Sequence, residues 1–175
     1  VLNAAEPKDE GTITADLRGD ISVRQVNVTL AGKQILKNVS VEVKAGTRTA
    51  VIGPTAAGKT QLLYLLTGLL KPTSGTVEYD GRNIDDYQKE HLHGQIGFVF
   101  QDTIVFNLTL RENIAFSKTV KDDDLEKAIA TAELRDFVDA LPGKLDTVVS
   151  ERGASLSGGQ KQRVMLARAL ALNPR

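Results

Sequence analysis

The sequence has no cysteine and no tryptophan, a single methionine, and few aromatic residues (5%). Without thiols there are no disulfide staples, no thiolate catalysis and no Cys-ligated zinc or iron–sulfur site, and a reducing, cytosolic setting is the natural one. Neither sign of charge dominates, because 22 basic residues balance 22 acidic ones. A zero balance argues against holding nucleic acid or anionic lipid by bulk charge. Long apolar runs are missing too: the densest, Leu62-Leu63-Tyr64-Leu65-Leu66, is far short of the roughly 20 residues that cross a bilayer. Residues 1–10 lack the basic-then-apolar order of a signal peptide and read as a polar lead-in, with residues 1–15 as the linker. What remains is 41% hydrophobic and 25% charged over 175 residues, an ordinary globular composition in a chain long enough to bury a core.

Ile21, Val23, Val26, Val28 and Leu30 alternate with polar residues except for a one-residue slip at Arg24-Gln25, which predicts a strand with a β-bulge. After the turn Ala31-Gly32-Lys33, Val39, Val41 and Val43 alternate again, so the two segments should pair antiparallel. Val77 and Tyr79 make a further short strand closed by Asp80-Gly81. Ala50-Val51-Ile52 and residues 96–100 are instead continuous apolar runs, the pattern of strands buried on both faces. Residues 61–70 are apolar nearly all round and read as a buried helix. Leu125, Ala128, Ile129 and Ala132 recur at helical spacing behind the acidic run Asp122-Asp123-Asp124, which reads as a helix start rather than a metal cluster. Residues 157–172 form a last, basic helix stopped by Asn173-Pro174. Strands alternating with helices define an α/β chain, with a mainly parallel sheet and an antiparallel flank.

Two constellations carry chemistry. Gly53-Pro54-Thr55-Ala56-Ala57-Gly58-Lys59-Thr60 fits the phosphate-loop pattern and sits between an apolar run and a helix, where such a loop must sit. Its backbone N–H groups and the positive end of the helix would face phosphate oxygens, Lys59 would reach the β- and γ-phosphates, and Thr60 would offer its hydroxyl to Mg²⁺. Leu156-Ser157-Gly158-Gly159-Gln160 places two glycines behind a serine N-cap, a second set of bare amides at a helix start. His91 and His93 are expected as solvated surface residues; an His-x-His chelate would need them on a strand and a third ligand nearby.

The phosphate loop, Gln101 after residues 96–100, and Leu156-Ser157-Gly158-Gly159-Gln160 together resemble the nucleotide-binding domain of ABC transporters. Thr73-Ser74-Gly75, Arg111-Glu112-Asn113-Ile114, Leu141-Pro142-Gly143, Leu145-Asp146-Thr147 and Glu151-Arg152-Gly153 are similar to the exporter branch, whose transmembrane domain precedes this domain on one polypeptide. The resemblance runs from about Ile21 to Arg175, and the domain it implies is placed at residues 16–175. It implies a P-loop NTPase core of the RecA type, an N-terminal antiparallel β subdomain and an α-helical signature subdomain at about residues 102–160. It further implies ATP and Mg²⁺ as cofactors, held by the loop residues 53–60 and Gln61. Gln101 would be the Q-loop glutamine that touches Mg²⁺ and the membrane-domain interface. Ser157, Gly158, Gly159 and Gln160 would be the signature that caps the γ-phosphate of ATP on an opposite subunit. The implied partners are a second such domain in a head-to-tail dimer and a transmembrane domain, with no nucleic acid. The implied place is the cytoplasmic face of the inner membrane, and the implied role is the motor of an ATP-driven exporter.

The departures from the family pattern matter as much. No apolar strand ending in Asp-Glu, the Walker B element, occurs within the 175 residues, so the chain as given is expected to lack the C-terminal part of the core, to leave the flank of residues 50–52 uncovered, and to be hydrolytically incompetent alone. Ala56 stands where a glycine is usual, Gln61 where a hydroxyl residue is usual, and Leu30 where an aromatic ring usually stacks on adenine. No ring precedes Tyr64, so phosphate contacts should dominate affinity and bases should be poorly distinguished. A DNA-linked ATPase of the same superfamily would need long coiled coils between Gln101 and Leu156, and no sustained heptads lie there. A non-catalytic nucleotide-binding or interaction module remains the alternative of a different class.

Overall fold

The computed structural model describes residues 11–116, 120–149 and 155–175; the Glu151-Arg152-Gly153 motif and residues 1–10 lie outside the described residues. The chain divides into two compact units, residues 1–93 with Arg175, and residues 94–174.

The first unit is built on a four-stranded antiparallel sheet in the order β2-β1-β3-β4, formed by β1 (Ile21–Leu30), β2 (Lys33–Val43), β3 (Ser74–Tyr79) and β4 (Arg82–Asn83). The expected bulge in β1 is present: the register to β2 slips between Val23 and Val26, and Gln25 adopts φ 48°. The slip turns Val23, Val26 and Val28 to one face, where all three are buried, each gaining about 1.5–3 kcal/mol over exposure. Gly75 belongs to this device. At φ 87°, a Cβ there would lie 2.5 Å from the Arg24 carbonyl oxygen and 2.6 Å from that of Gln25, so only glycine lets β3 approach the bulge. Its neighbour Thr73 accepts a hydrogen bond at Oγ1 from the Thr29 amide (2.9 Å), which gives the Thr73-Ser74-Gly75 motif a strand-joining role.

Helix α1 (Lys59–Leu66) is anchored to this sheet by Tyr79, whose hydroxyl donates to the Leu66 carbonyl at 2.8 Å. Burial pushes the Tyr79 phenol up to about 12. The sign follows from linkage: the unfolded tyrosine ionises near pH 10 while the folded one stays neutral, so stability is complete below about pH 10 and is lost as pH rises toward 12. Tyr79→Phe is therefore expected to lose the hydrogen bond, about 1 kcal/mol at neutral pH, and to flatten the fall in stability between pH 10 and 12. Urea titrations at pH 8, 10 and 11.5 on both proteins read it; parallel pH profiles would refute the assignment.

In the second unit, α3 (Leu110–Ala115), α4 (Asp122–Thr131), α5 (Arg135–Ala140) and α6 (Gly158–Ala171) follow α2 (Lys89–Gly94), which ends at the boundary between the units. The apolar stripe of α4 falls where its spacing placed it: Leu125, Ala128, Ile129 and Ala132 are all buried in one cluster with Leu110 and Ile114 of α3 and Val164 and Ala167 of α6. Asp122, in the first turn of α4, accepts from Arg111 Nη1 at 2.7 Å. Helix α3 starts with a capping box, the Thr109 hydroxyl and the Glu112 carboxylate each serving the other's amide, and these hydrogen bonds hold the Glu112 carboxyl below its ordinary range.

Four expectations need correction. Among the described residues, neither residues 50–52 nor residues 96–100 belong to a strand; Ile52 is 90% exposed, and Val51, Val99 and Phe100 are also exposed. A run buried on both faces depends on ladder partners at both edges, and among the described residues neither segment is assigned to a ladder. The helix expected over residues 61–70 begins at Lys59 and ends at Leu66, because Gly68 at φ 73° provides a left-handed stop and its amide bonds back to the Leu65 carbonyl. Leu63 and Leu69 on this segment are exposed. Finally, His91 and His93 lie on α2, where side chains two residues apart diverge. His93 is exposed as expected, with Nε2 3.0 Å from the Thr67 carbonyl, whereas His91 is half-buried and lies 3.8 Å from Asp16 rather than being fully solvated.

Candidate functional site

The phosphate-loop residues 53–60 lie in the first unit, leading directly into α1, and residues 53–57 are exposed. Gly58 is the N-cap, at φ 88°; a Cβ there would lie 2.8 Å from Leu36 Cδ2 and 3.2 Å from the Ile35 carbonyl oxygen. Glycine is thus required both by conformation and by the approach of the loop to β2. Ala56 carries φ 63°, a left-handed conformation that costs a non-glycine residue roughly 1–2 kcal/mol, so its methyl is tolerated at some strain. Lys59 Nζ donates to the carbonyls of Gly53 (2.9 Å) and Pro54 (2.7 Å). The ammonium is therefore already drawn over the mouth of its own loop. Two of its three N–H donors are engaged there, and the unpaired amides at the start of α1 give the loop a positive edge. Thr60 and Gln61, half-buried, occupy the first turn of α1. Leu30 is 41% exposed at the tip of the β1–β2 hairpin, opposite Lys33.

The second constellation lies in the other unit. Ser157 is the N-cap of α6: its Oγ accepts from the Gln160 amide (3.2 Å) and Gln160 Oε1 accepts from the Ser157 amide (2.8 Å). This reciprocal pair uses the side chains of Ser157 and Gln160 to fix the helix start. Gly158 and Gly159 stand exposed, and a Cβ at either would meet nothing within 4 Å. The chain's own packing gives no reason for glycine at these positions. Leu156, by contrast, is buried in the core of this unit. Gln101, also in the second unit, is exposed directly after residues 96–100.

A polar hub beside these residues escaped sequence reasoning. Asn113, fully buried on α3, accepts from the Phe106 amide (2.9 Å) and donates to the carbonyls of Phe106 (3.0 Å), Leu108 (3.3 Å) and Thr109 (3.1 Å). Arg168, on α6, donates through Nε to the Asn113 carbonyl (2.7 Å), through Nη1 to the Ile104 carbonyl (3.1 Å) and through Nη2 to Asn113 Oδ1 (3.3 Å). Its guanidinium lies 5.5 Å from the Phe106 ring centroid and 4.9 Å from that of Phe116, and the two rings stack at 5.2 Å. Burial lowers the Arg168 pKa from its ordinary value. The available signal was Asn113 itself, a polar residue at a core position between Leu110 and Ile114.

Residues 36–175 match the sequence profile of the ABC transporter family. The ATP-dependent lipid A-core flippase of Thiobacillus denitrificans is 36% identical over 178 residues, 99% of this chain and 31% of that protein. The beta-(1→2)glucan export ATP-binding/permease protein NdvA of Bartonella bacilliformis is 44% identical over 137 residues, 78% of this chain and 23% of that protein. A bacterial Atm1-family ABC exporter, solved with ATP bound, superposes with a TM-score of 0.85 at 35% identity, over 97% of this chain and 30% of that one. The chain belongs to the ABC transporter family and has the fold of its ATPase, a P-loop NTPase with an antiparallel β subdomain and helices. It spans about a third or less of the length of these relatives. No helix among the described residues is long and apolar enough to cross a membrane.

Proposed function

We propose that the chain is the ATP-binding motor domain of an exporter, residues 16–175, working as a head-to-tail dimer with a second such domain on the cytoplasmic face of the inner membrane and driving a transmembrane domain of the same protein. The observation that carries this reading is the pair of glycine-bordered helix starts on different units, one preceded by an exposed loop with a lysine over its mouth and one whose exposed glycines face open space. Lys59, released from the Gly53 and Pro54 carbonyls, offers its ammonium to the β- and γ-phosphates, while the amides of residues 53–60 and Gln61 bind the remaining phosphate oxygens. Bound Mg²⁺ would neutralise phosphate charge; Thr60 and Gln101 each carry an oxygen of the hard kind that Mg²⁺ takes. Gly158 and Gly159 allow a γ-phosphate held by another subunit to approach the start of α6, with Ser157 and Gln160 fixing that helix start. Nothing in the described geometry favours the non-catalytic module.

Two measurements test this reading. Ser157→Arg is expected to leave ATP binding intact and to abolish ATP-driven dimerisation of the nucleotide-binding domain extended beyond Arg175, as read by light scattering with and without ATP; equal dimer fractions in variant and parent would defeat the role in trans. Leu30→Tyr is expected to tighten ATP binding by up to about tenfold, and GTP should compete with ATP within about tenfold in the parent, since an added ring face supplies 0.5–1.5 kcal/mol at most. Competition titration with a fluorescent nucleotide checks both, and strong ATP preference in the parent with no gain in the variant would place base recognition elsewhere.

A further inference from the structure

Helix α6 carries the candidate signature at its N-cap and Arg168 three turns further on. Arg168 hydrogen-bonds both the segment after Gln101, at the Ile104 carbonyl, and α3, at Asn113. Its planar guanidinium supplies three directed donors while its face covers Phe106 and Phe116. A lysine ammonium at the end of a flexible stem offers no such fork and no plane to stack. The loop it grips is distinctive, because Ile104, Phe106 and Leu108 are all exposed hydrophobic residues, as is Phe116 at the C-cap of α3. The loop backbone hangs on Asn113, to which Arg168 also donates.

We infer that Arg168 is a positioning residue that locks residues 104–109 to the signature helix, so that engagement of a nucleotide at Ser157, Gly158 and Gly159 is felt at the Phe106 loop. A helix is rigid along its axis, so a shift or tilt of its N-terminus moves Arg168 with it. The motion reaches the loop directly through the Nη1 hydrogen bond to the Ile104 carbonyl and the guanidinium face over Phe106, and indirectly through Asn113, which takes the other two guanidinium bonds and itself bonds the Phe106 amide; no contact between the loop and the nucleotide is needed. This inference rests on the ATP reading proposed above.

The experiment compares hydrogen exchange with and without Mg-ATP in the full-length protein, for the parent, for Arg168→Lys and for the double variant Phe106→Leu/Phe116→Leu. In the parent, ATP is expected to change exchange at residues 53–60, at 157–160 and at the Phe106 amide. In Arg168→Lys, the changes at 53–60 and 157–160 persist, while the ATP-dependent change at Phe106 shrinks about tenfold. The double variant, which keeps the guanidinium hydrogen bonds but removes both rings, shows a partial reduction at residue 106 and supplies the result if the lysine variant does not fold. ATP-dependent exchange at Phe106 that is unchanged in the folded variants, or absent from the parent while 157–160 respond, overturns the role of Arg168. Absence of any response at 53–60 and 157–160 overturns the ATP reading itself, and the inference with it.

Discussion

Asn113→Ala is expected to destabilise the second unit by about 3 kcal/mol or more, because each buried donor or acceptor left without a partner costs about 1–3 kcal/mol. The substitution strands the Phe106 amide and removes the donor from the carbonyls of Phe106, Leu108 and Thr109. It also takes away Asn113 Oδ1 as a partner for Arg168 Nη2, leaving a half-buried guanidinium less well satisfied, and opens a void beside fully buried Leu110 and Ile114. Against a domain stability of about 5–15 kcal/mol, such a loss is large. Native-state hydrogen exchange at Leu110, Ile114 and Ile129 measures this unit directly, and the expected acceleration is on the order of a hundredfold, 1.4 kcal/mol being a factor of ten. Asn113→Asp keeps Oδ1 for the Phe106 amide and Arg168 but turns the donor to three carbonyls into an acceptor that faces them, so it should not restore the loss. Equal exchange in parent and alanine variant would mean that the hub is redundant with the surrounding helix packing.

The second large effect is at Lys59. Lys59→Met keeps the length of the stem and removes the ammonium, and is expected to weaken ATP binding by about tenfold to a hundredfold, since a hydrogen bond to a charged group contributes about 1.5–3 kcal/mol. The same change frees the carbonyls of Gly53 and Pro54, which the ammonium now bridges, so the loop itself should exchange faster even without nucleotide. Calorimetric titration with Mg-ATP reads the first consequence, and amide exchange at residues 53–58 without ATP reads the second. Unchanged affinity would remove Lys59 from the phosphate site, while unchanged exchange would show that its present hydrogen bonds do not hold the loop shape.

Local pattern was a good guide wherever the partner lay close in sequence. The bulge at Arg24-Gln25 showed as a phase slip, and the structure has it, with Gln25 in a left-handed conformation. The stripe of α4 and the start of α6 followed from helical spacing and from a serine N-cap with two glycines behind it. Long-range partners were less legible. Residues 50–52 and 96–100 carry the composition of doubly buried strands, yet among the described residues no strand is assigned to them and they are partly or wholly exposed. The end of α1 was misjudged because the apolar run continues through Leu69 and Leu70 while the backbone turns at Gly68.

The sequence by itself determined the phosphate loop, the glycine-rich N-terminus of α6, the antiparallel flank and the family, because each is written in residues within a few positions of one another, where loop sterics, capping and periodicity act. Only the tertiary structure decided that Lys59 closes on its own loop and that Tyr79 anchors the far end of α1. It alone joined Asn113 to Arg168 across 55 positions and placed both Phe106 and Phe116 under one guanidinium. The physical reason is that a buried polar group must find its partners wherever the fold brings them. Those partners are backbone carbonyls and ring faces, which every sequence possesses, so nothing in the residue order marks the ones that will be used.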